Sequence, residues 1–95
     1  MNNSAIGESW DEVERELFTP EEIAESHLRA EIIAEIVKAR QAQGISQKQL
    51  EEITGIKQPV IARLEKGHTS PQLDTLLKLL TPLGKTLAVV PLETK

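Results

Sequence analysis

The sequence predicts an all-α fold of about five helices closed by one short C-terminal β-strand. Three observations carry that expectation. Apolar residues recur at spacings of three to five along most of the chain; Gly44, Gly55, Gly67 and Gly84 each stand where such a run stops; and only Thr86 to Leu92 has the composition of a strand.

The elements follow in order. Residues 1–18 form an acidic N-terminal arm in which Ser9 and Glu12 make a capping box and Trp10, Val13, Leu17 and Phe18 fall at helical spacing, which predicts one short helix. Residues 19–84 form the main domain. Its first helix starts at Thr19, Pro20 and Glu22 and carries Ile23, Leu28, Ile32, Ile33, Ile36 and Val37 as far as Gly44, with Ser26 as the place where a bend or break would fall. Next come two short helices. Ser46 is a good N-cap and Gln49 can reach back to its N–H, so a helix runs from about Gln47 to Thr54 and leaves through Gly55, a residue without the Cβ that penalises the left-handed region. The second starts near Lys57 or Gln58, confines Pro59 to its first turn, and ends at Gly67. A last helix takes Ser70 as cap and Pro71 as its first residue, carries Leu73, Leu76, Leu77, Leu79 and Leu80, and stops before Gly84. Residues 85–95 complete the chain as strand and tail.

The stretch from Ser46 to Gly67 carries most of the functional information. Leu50, Ile53, Ile56, Ile61 and Leu64 are spaced to clamp its two helices together, which leaves Lys57, Gln58, Ala62, Arg63 and Lys66 facing outward. That is a helix-turn-helix, the device by which a chain offers a helix to the major groove of DNA. Glutamine can pair with adenine and arginine with guanine through two hydrogen bonds each, so Gln58 and Arg63 are the candidate base readers. Gln47 and Lys48, at a helix N-terminus, suit phosphate, as do Lys57, Lys66 and the loop residue His68. Charged residues of these types also fit an ordinary solvated face; the cap, the glycine and the apolar spacing favour DNA.

Charge is divided along the chain. The protein has 11 basic and 15 acidic residues, a net charge of −4, which is not what a DNA-binding domain leads one to expect. Residues 1–35 hold ten acids and two bases, a net of −8, whereas residues 36–95 hold five acids and nine bases, a net of +4. The acidic part therefore suits a basic partner. Trp10 and Phe18 are the only aromatic residues and lie in that part, where they serve equally as interface anchors or as cover for the domain's own apolar surface.

Thr86 to Leu92 raises a separate point. No other stretch can pair with it as a strand, and an unpaired strand leaves backbone groups unsatisfied. A second copy of the chain would repair this through Leu87, Val89 and Val90, as an antiparallel ribbon across a two-fold axis; packing on its own domain or on a partner's sheet are the alternatives.

Catalysis is not expected. There is no cysteine, and His27 and His68 lack the paired spacing of metal ligands or of a nucleophilic site, so no metal, cofactor or small-molecule ligand is foreseen. The chain has neither a signal-like start nor an apolar run of the roughly 20 residues a membrane span needs, which points to the cytoplasm.

The segment from about Ile36 to Gly84 resembles the XRE (Cro/C1-type) helix-turn-helix family, a lambda-repressor-like bundle. The matching features are Gln47, Gly55, Gln58, Arg63 and the Leu-Glu-Lys-Gly ending at Gly67. In that family an arginine late in the preceding helix pairs with the glutamate of this ending, so the resemblance implies a structural ion pair between Arg40 and Glu65. One departure is Glu51, at a site where the family usually has a small residue against the crossing helix. The Trp-Asp-Glu-Val opening, the Thr-Pro-Glu-Glu-Ile helix start and the Gly-Lys-Thr-Leu-Ala-Val-Val-Pro-Leu-Glu ending resemble a HigA-type antitoxin of a type II toxin–antitoxin pair. Such a resemblance implies neutralisation of a basic HigB-type mRNA endonuclease toxin by direct binding. It also implies repression of its own operon, and the homodimer suggested by the C-terminal strand would set two reading helices about 34 Å apart, to match palindromic operator DNA. Trp10, Val13, Leu17 and Phe18 would then contact the toxin; a plain XRE-family repressor with no toxin partner is the alternative.

Overall fold

The computed structural model describes residues 17–92 and is all-helical over that range. Four α-helices follow one another: α1 (Pro20–Ala42), α2 (Gln47–Thr54), α3 (Gln58–Glu65) and α4 (Leu73–Leu80), the last running into a 3₁₀ turn at Thr81–Leu83. The short helix expected from Ser9, with Trp10 and Val13, lies outside the described residues.

Helix α1 begins with a capping box. Thr19 Oγ1 accepts from the Glu22 N–H at 3.1 Å and Glu22 Oε1 accepts from the Thr19 N–H at 2.8 Å, which satisfies two donors left over at a helix start. The helix is continuous through Ser26, where a bend or break had a place in the sequence; serine in a helix interior costs little, and neither glycine nor proline interrupts the run.

The chain divides into two compact units at the Ile32/Ile33 boundary. In the described part of the first unit, Leu17, Phe18 and Leu28 are exposed and Arg29 pairs with Glu25 one turn earlier. Phe18, Ile23 and Ser26 line a shallow cavity there together with Glu22, Glu25 and Arg29.

The second unit holds the apolar core. Ile33, Ile36 and Ala39 from α1 are buried with Leu50 of α2, Ile61 and Leu64 of α3, Leu76, Leu79 and Leu80 of α4, and Leu83 of the 3₁₀ turn. Helix α2 packs against both α3 and α4. Burying five such side chains completely (Ile36, Leu50, Ile61, Leu64 and Leu79) contributes on the order of 1.5–3 kcal/mol each relative to exposure, and this is what fixes the position of the short helices. The 3₁₀ turn is tied back by Gln43 Nε2, which donates to the Leu83 carbonyl at 3.0 Å.

Three expectations need correction. Ile53 is not a clamp residue: it is 53% exposed, because the inward stripe of α2 runs through Gln47, Leu50, Glu51 and Thr54 and Ile53 falls beside it. Helix α4 starts at Leu73 and not at Pro71. Its N-cap is Gln72, in extended conformation and without a side-chain cap, while Ser70 precedes a proline and is biased away from helical geometry. Finally, residues Thr86 to Leu92 form no strand. A ladder needs a neighbour, and the described chain supplies none; Val89, Val90 and Leu92 are exposed and Leu87 is half-buried.

Candidate nucleic-acid interface

The two short helices meet through a turn built from local hydrogen bonds. Ser46 caps α2, its Oγ accepting from the Gln49 N–H at 3.0 Å while Gln49 Oε1 accepts from the Ser46 N–H at 2.8 Å. Gly55 closes the helix at φ 81°, a conformation a side chain would strain, and its N–H donates to the Glu51 carbonyl at 2.7 Å. Thr54 then bridges the corner: its hydroxyl donates to the Leu50 carbonyl at 2.8 Å and accepts from the Ile56 N–H at 3.1 Å. At the far end Gly67 (φ 78°) turns the chain away, with the His68 N–H donating to the Arg63 carbonyl at 3.1 Å.

Helix α3 is capped from its neighbour. Lys57 is its N-cap and offers no side-chain hydrogen bond, so the usual Ser, Thr, Asp or Asn oxygen is missing. Glu51 supplies one instead, its Oε1 accepting from the Gln58 N–H at 3.0 Å across the helix pair. The same carboxylate lies 3.4 Å from Lys48 Nζ and 3.9 Å from Lys57 Nζ. Sequence reasoning missed this role and saw Glu51 only as a departure from a family pattern. Two signals pointed to it: Glu51 sits on the inward stripe of α2, and no capping residue precedes α3.

This arrangement has a pH signature. The Gln58 N–H, and after it Lys48 and Lys57, hold the Glu51 pKa below its usual 4.5 against the opposing effect of desolvation. A depressed carboxylate pKa contributes stability that is present above the unfolded value and is lost as pH falls through the folded one. Glu51→Gln keeps an acceptor for Gln58 but cannot ionise. We expect it to be less stable than the parent near neutral pH, with the difference shrinking below about pH 4.5 when urea unfolding midpoints are compared. A difference that stays constant into acid would show that the charge on Glu51 has no part in capping.

A chain of hydrogen bonds runs behind the first turn of α3. Gln58 Nε2 donates to Gln47 Oε1 at 2.7 Å, and Gln47 Nε2 donates to Glu65 Oε1 at 2.8 Å. Arg40 closes the chain with two bonds to Glu65, Nε to Oε2 at 2.7 Å and Nη2 to Oε1 at 2.9 Å, and its Nη1 donates to the Ile45 carbonyl at 2.9 Å. The planar guanidinium thus faces the carboxylate with two parallel bonds, the geometry that makes arginine the suitable cation here. Among the described residues every buried side-chain nitrogen or oxygen has a partner. Gln58 spends one amide hydrogen on Gln47, which fixes its side chain and leaves its carbonyl oxygen and second hydrogen for another molecule.

The remaining candidate residues divide by location. Lys48, Lys57, Arg63, Lys66 and His68 are exposed, while Gln47 and Gln58 are half-buried. Arg63 and Lys66 stand on the outer face of α3 and its C-cap, and no ion pair within the described chain engages either of them. Gln47, Gln58 and the Arg40–Glu65 pair are brought into one network; Lys48 and Lys57 gather around Glu51. Leu17 and Phe18 are exposed in the first unit. Among the described residues no three His, Asp or Glu side chains converge as a metal site requires, and no helix is long and apolar enough to cross a membrane.

A supported helix whose outer face carries arginine, lysine and a tethered glutamine defines a helix-turn-helix protein. Residues 36–90 match the helix-turn-helix family model, and the chain belongs to that family, in its XRE type. It is 60% identical over 92 residues to an HTH-type transcriptional regulator of Haemophilus influenzae, itself uncharacterised, covering 97% of this chain and 94% of that one. Among solved structures it is similar to a chain described as a toxin–antitoxin module from Streptococcus pneumoniae, at 63% identity and a TM-score of 0.69, covering 88% of this chain and 92% of the other.

Proposed function

We propose that the protein is an antitoxin that binds operator DNA through α3 and neutralises a toxin through its acidic N-terminal part. The observation that carries the DNA half is the supported outer face of α3. Gln58 is held by Gln47, Arg63 has no ion pair among the described residues, and these are the side chains that can read adenine and guanine edges. Lys48, Lys57, Lys66 and His68 serve phosphates around them. The relative described as a transcriptional regulator supports this reading.

The toxin half rests on charge and on the second relative. The solved chain at 63% identity belongs to a toxin–antitoxin module, and the net charge of −8 over residues 1–35 suits a basic partner such as a HigB-type mRNA endonuclease. Trp10, Val13, Leu17 and Phe18 anchor that partner. The active species on DNA is a homodimer paired through Leu87, Val89 and Val90, since an exposed apolar segment with unpaired backbone gains most from a copy of itself. Two α3 helices about 34 Å apart then match half-sites one DNA turn apart, and the bound dimer represses its own operon. A plain repressor without a toxin is the reading that the regulator relative alone would favour.

Deleting residues 1–18 separates the two. The shortened chain should bind operator as the full chain does, yet cells expressing it with the small basic protein encoded beside it should stop growing. Continued growth, with that basic protein shown to be toxic when expressed alone, would show that residues 1–18 do not carry the neutralisation, whereas a neighbouring protein that is harmless when expressed alone would leave the plain repressor.

A further inference from the structure

The outer face of α3 carries more than hydrogen-bonding groups. Pro59 and Val60 are exposed, Val60 at 39%, and Ala62 is half-buried, so three apolar residues lie among Gln58, Arg63 and Lys66. The positions interleave. On a helix, residues three and four apart are neighbours, which sets Val60 beside Arg63, Pro59 beside both Ala62 and Arg63, and Ala62 beside Gln58. A merely solvated face has no use for a β-branched side chain, which also lowers helix propensity slightly, at a position where lysine or glutamate would serve better. Val60 takes no share in the core either, whose α3 members are Ile61 and Leu64.

We propose that Val60 is a specificity-determining residue that packs against the C5 methyl group of a thymine, so that the half-site this protein selects has a thymine one or two base pairs from the base read by Arg63. The inference rests on the reading of α3 as the DNA-contacting helix and deepens it. The chemistry is limited to one base: in the major groove only thymine presents an apolar group, whereas the other bases present donors and acceptors that an apolar side chain would leave unsatisfied. Burying even one methyl group against Val60 removes apolar surface from water on both partners. Pro59 and Ala62 extend the same apolar strip and keep water out of the contact.

The test uses the full chain and a duplex selected by it from a random pool. Each thymine of the selected half-site is replaced singly by 2′-deoxyuridine, which removes the methyl group and nothing else. The parent protein should lose about fourfold in affinity at one thymine or more, the factor that burial of one methyl-sized group carries. Val60→Ala should bind the selected duplex several-fold more weakly, bind random duplex as the parent does, and show no penalty for deoxyuridine at that position. Val60→Thr, which keeps the shape and exchanges one methyl for a hydroxyl, should retain part of the penalty. Indifference of the parent to every deoxyuridine overturns the proposal, and so does a penalty that persists unchanged in Val60→Ala. Failure to select any duplex would instead overturn the DNA-reading assignment on which the proposal stands.

Discussion

Glu65→Ala should lower the stability of the fold by about 3 kcal/mol, because it strands a guanidinium that has little access to water. The Arg40 and Glu65 side chains are only 12% and 7% exposed, and Glu65 accepts from Arg40 twice and from Gln47 once. Removing one member of such a pair costs more than the pair contributes, since the remaining charge keeps its desolvation penalty. For a domain of this size each kcal/mol moves the melting temperature by about 4–8 °C, so thermal unfolding followed by circular dichroism should shift by more than about 10 °C. The effect reaches α3 through Gln47. Loss of the Glu65 acceptor frees Gln47, and with it the partner that holds Gln58. Replacing both charges, as in Arg40→Met with Glu65→Leu, should recover most of the stability without restoring the anchor for Gln47. A melting temperature that barely changes in Glu65→Ala would mean that the pair is in effect solvated.

The second large effect is expected on DNA. Arg63→Ala should weaken binding to a selected duplex by about 1–3 kcal/mol and relax the choice at one base pair, because an exposed arginine without an ion-pair partner among the described residues can give both donors to a guanine. Lys48→Ala offers the contrast. Its ammonium group lies near Glu51 at the start of α2, where it suits phosphate, so its loss should weaken all sequences alike and reduce the salt dependence of binding. Titrations on selected and random duplexes at two salt concentrations distinguish these behaviours. Equal losses from both substitutions on both duplexes would contradict the division of roles.

Much of the local architecture was legible because it is encoded by neighbours in sequence. The two capping boxes, Thr19 with Glu22 and Ser46 with Gln49, and the left-handed Gly55 each involve residues within a few positions, and the structure forms them where the pattern stood. Non-local features were harder. Glu51 caps a helix seven residues away, a bond that depends on how α2 crosses α3 and leaves no mark on periodicity. The start of α4 was misjudged because Ser70-Pro71 carries a helix-start signal that Gln72, two residues on, displaces. Thr86 to Leu92 has the composition of a strand, but composition cannot provide the neighbouring backbone on which a strand depends. Within the site, the residue types on α3 were readable from sequence. The network that tethers Gln58 through Gln47 to Glu65 was not, since it joins two helices that only folding brings together.

The central claim is that the outer face of α3 lies against base edges in the major groove, and chemical protection of guanine tests it most directly. Dimethyl sulfate methylates guanine at N7, an atom exposed only in that groove. With the full chain bound to a selected duplex, guanines in two half-sites about one helical turn apart should be protected, and Arg63→Ala should lift the protection of one guanine in each. Methylation at every guanine that is unchanged by the bound protein, or a protected set identical in Arg63→Ala, would contradict it.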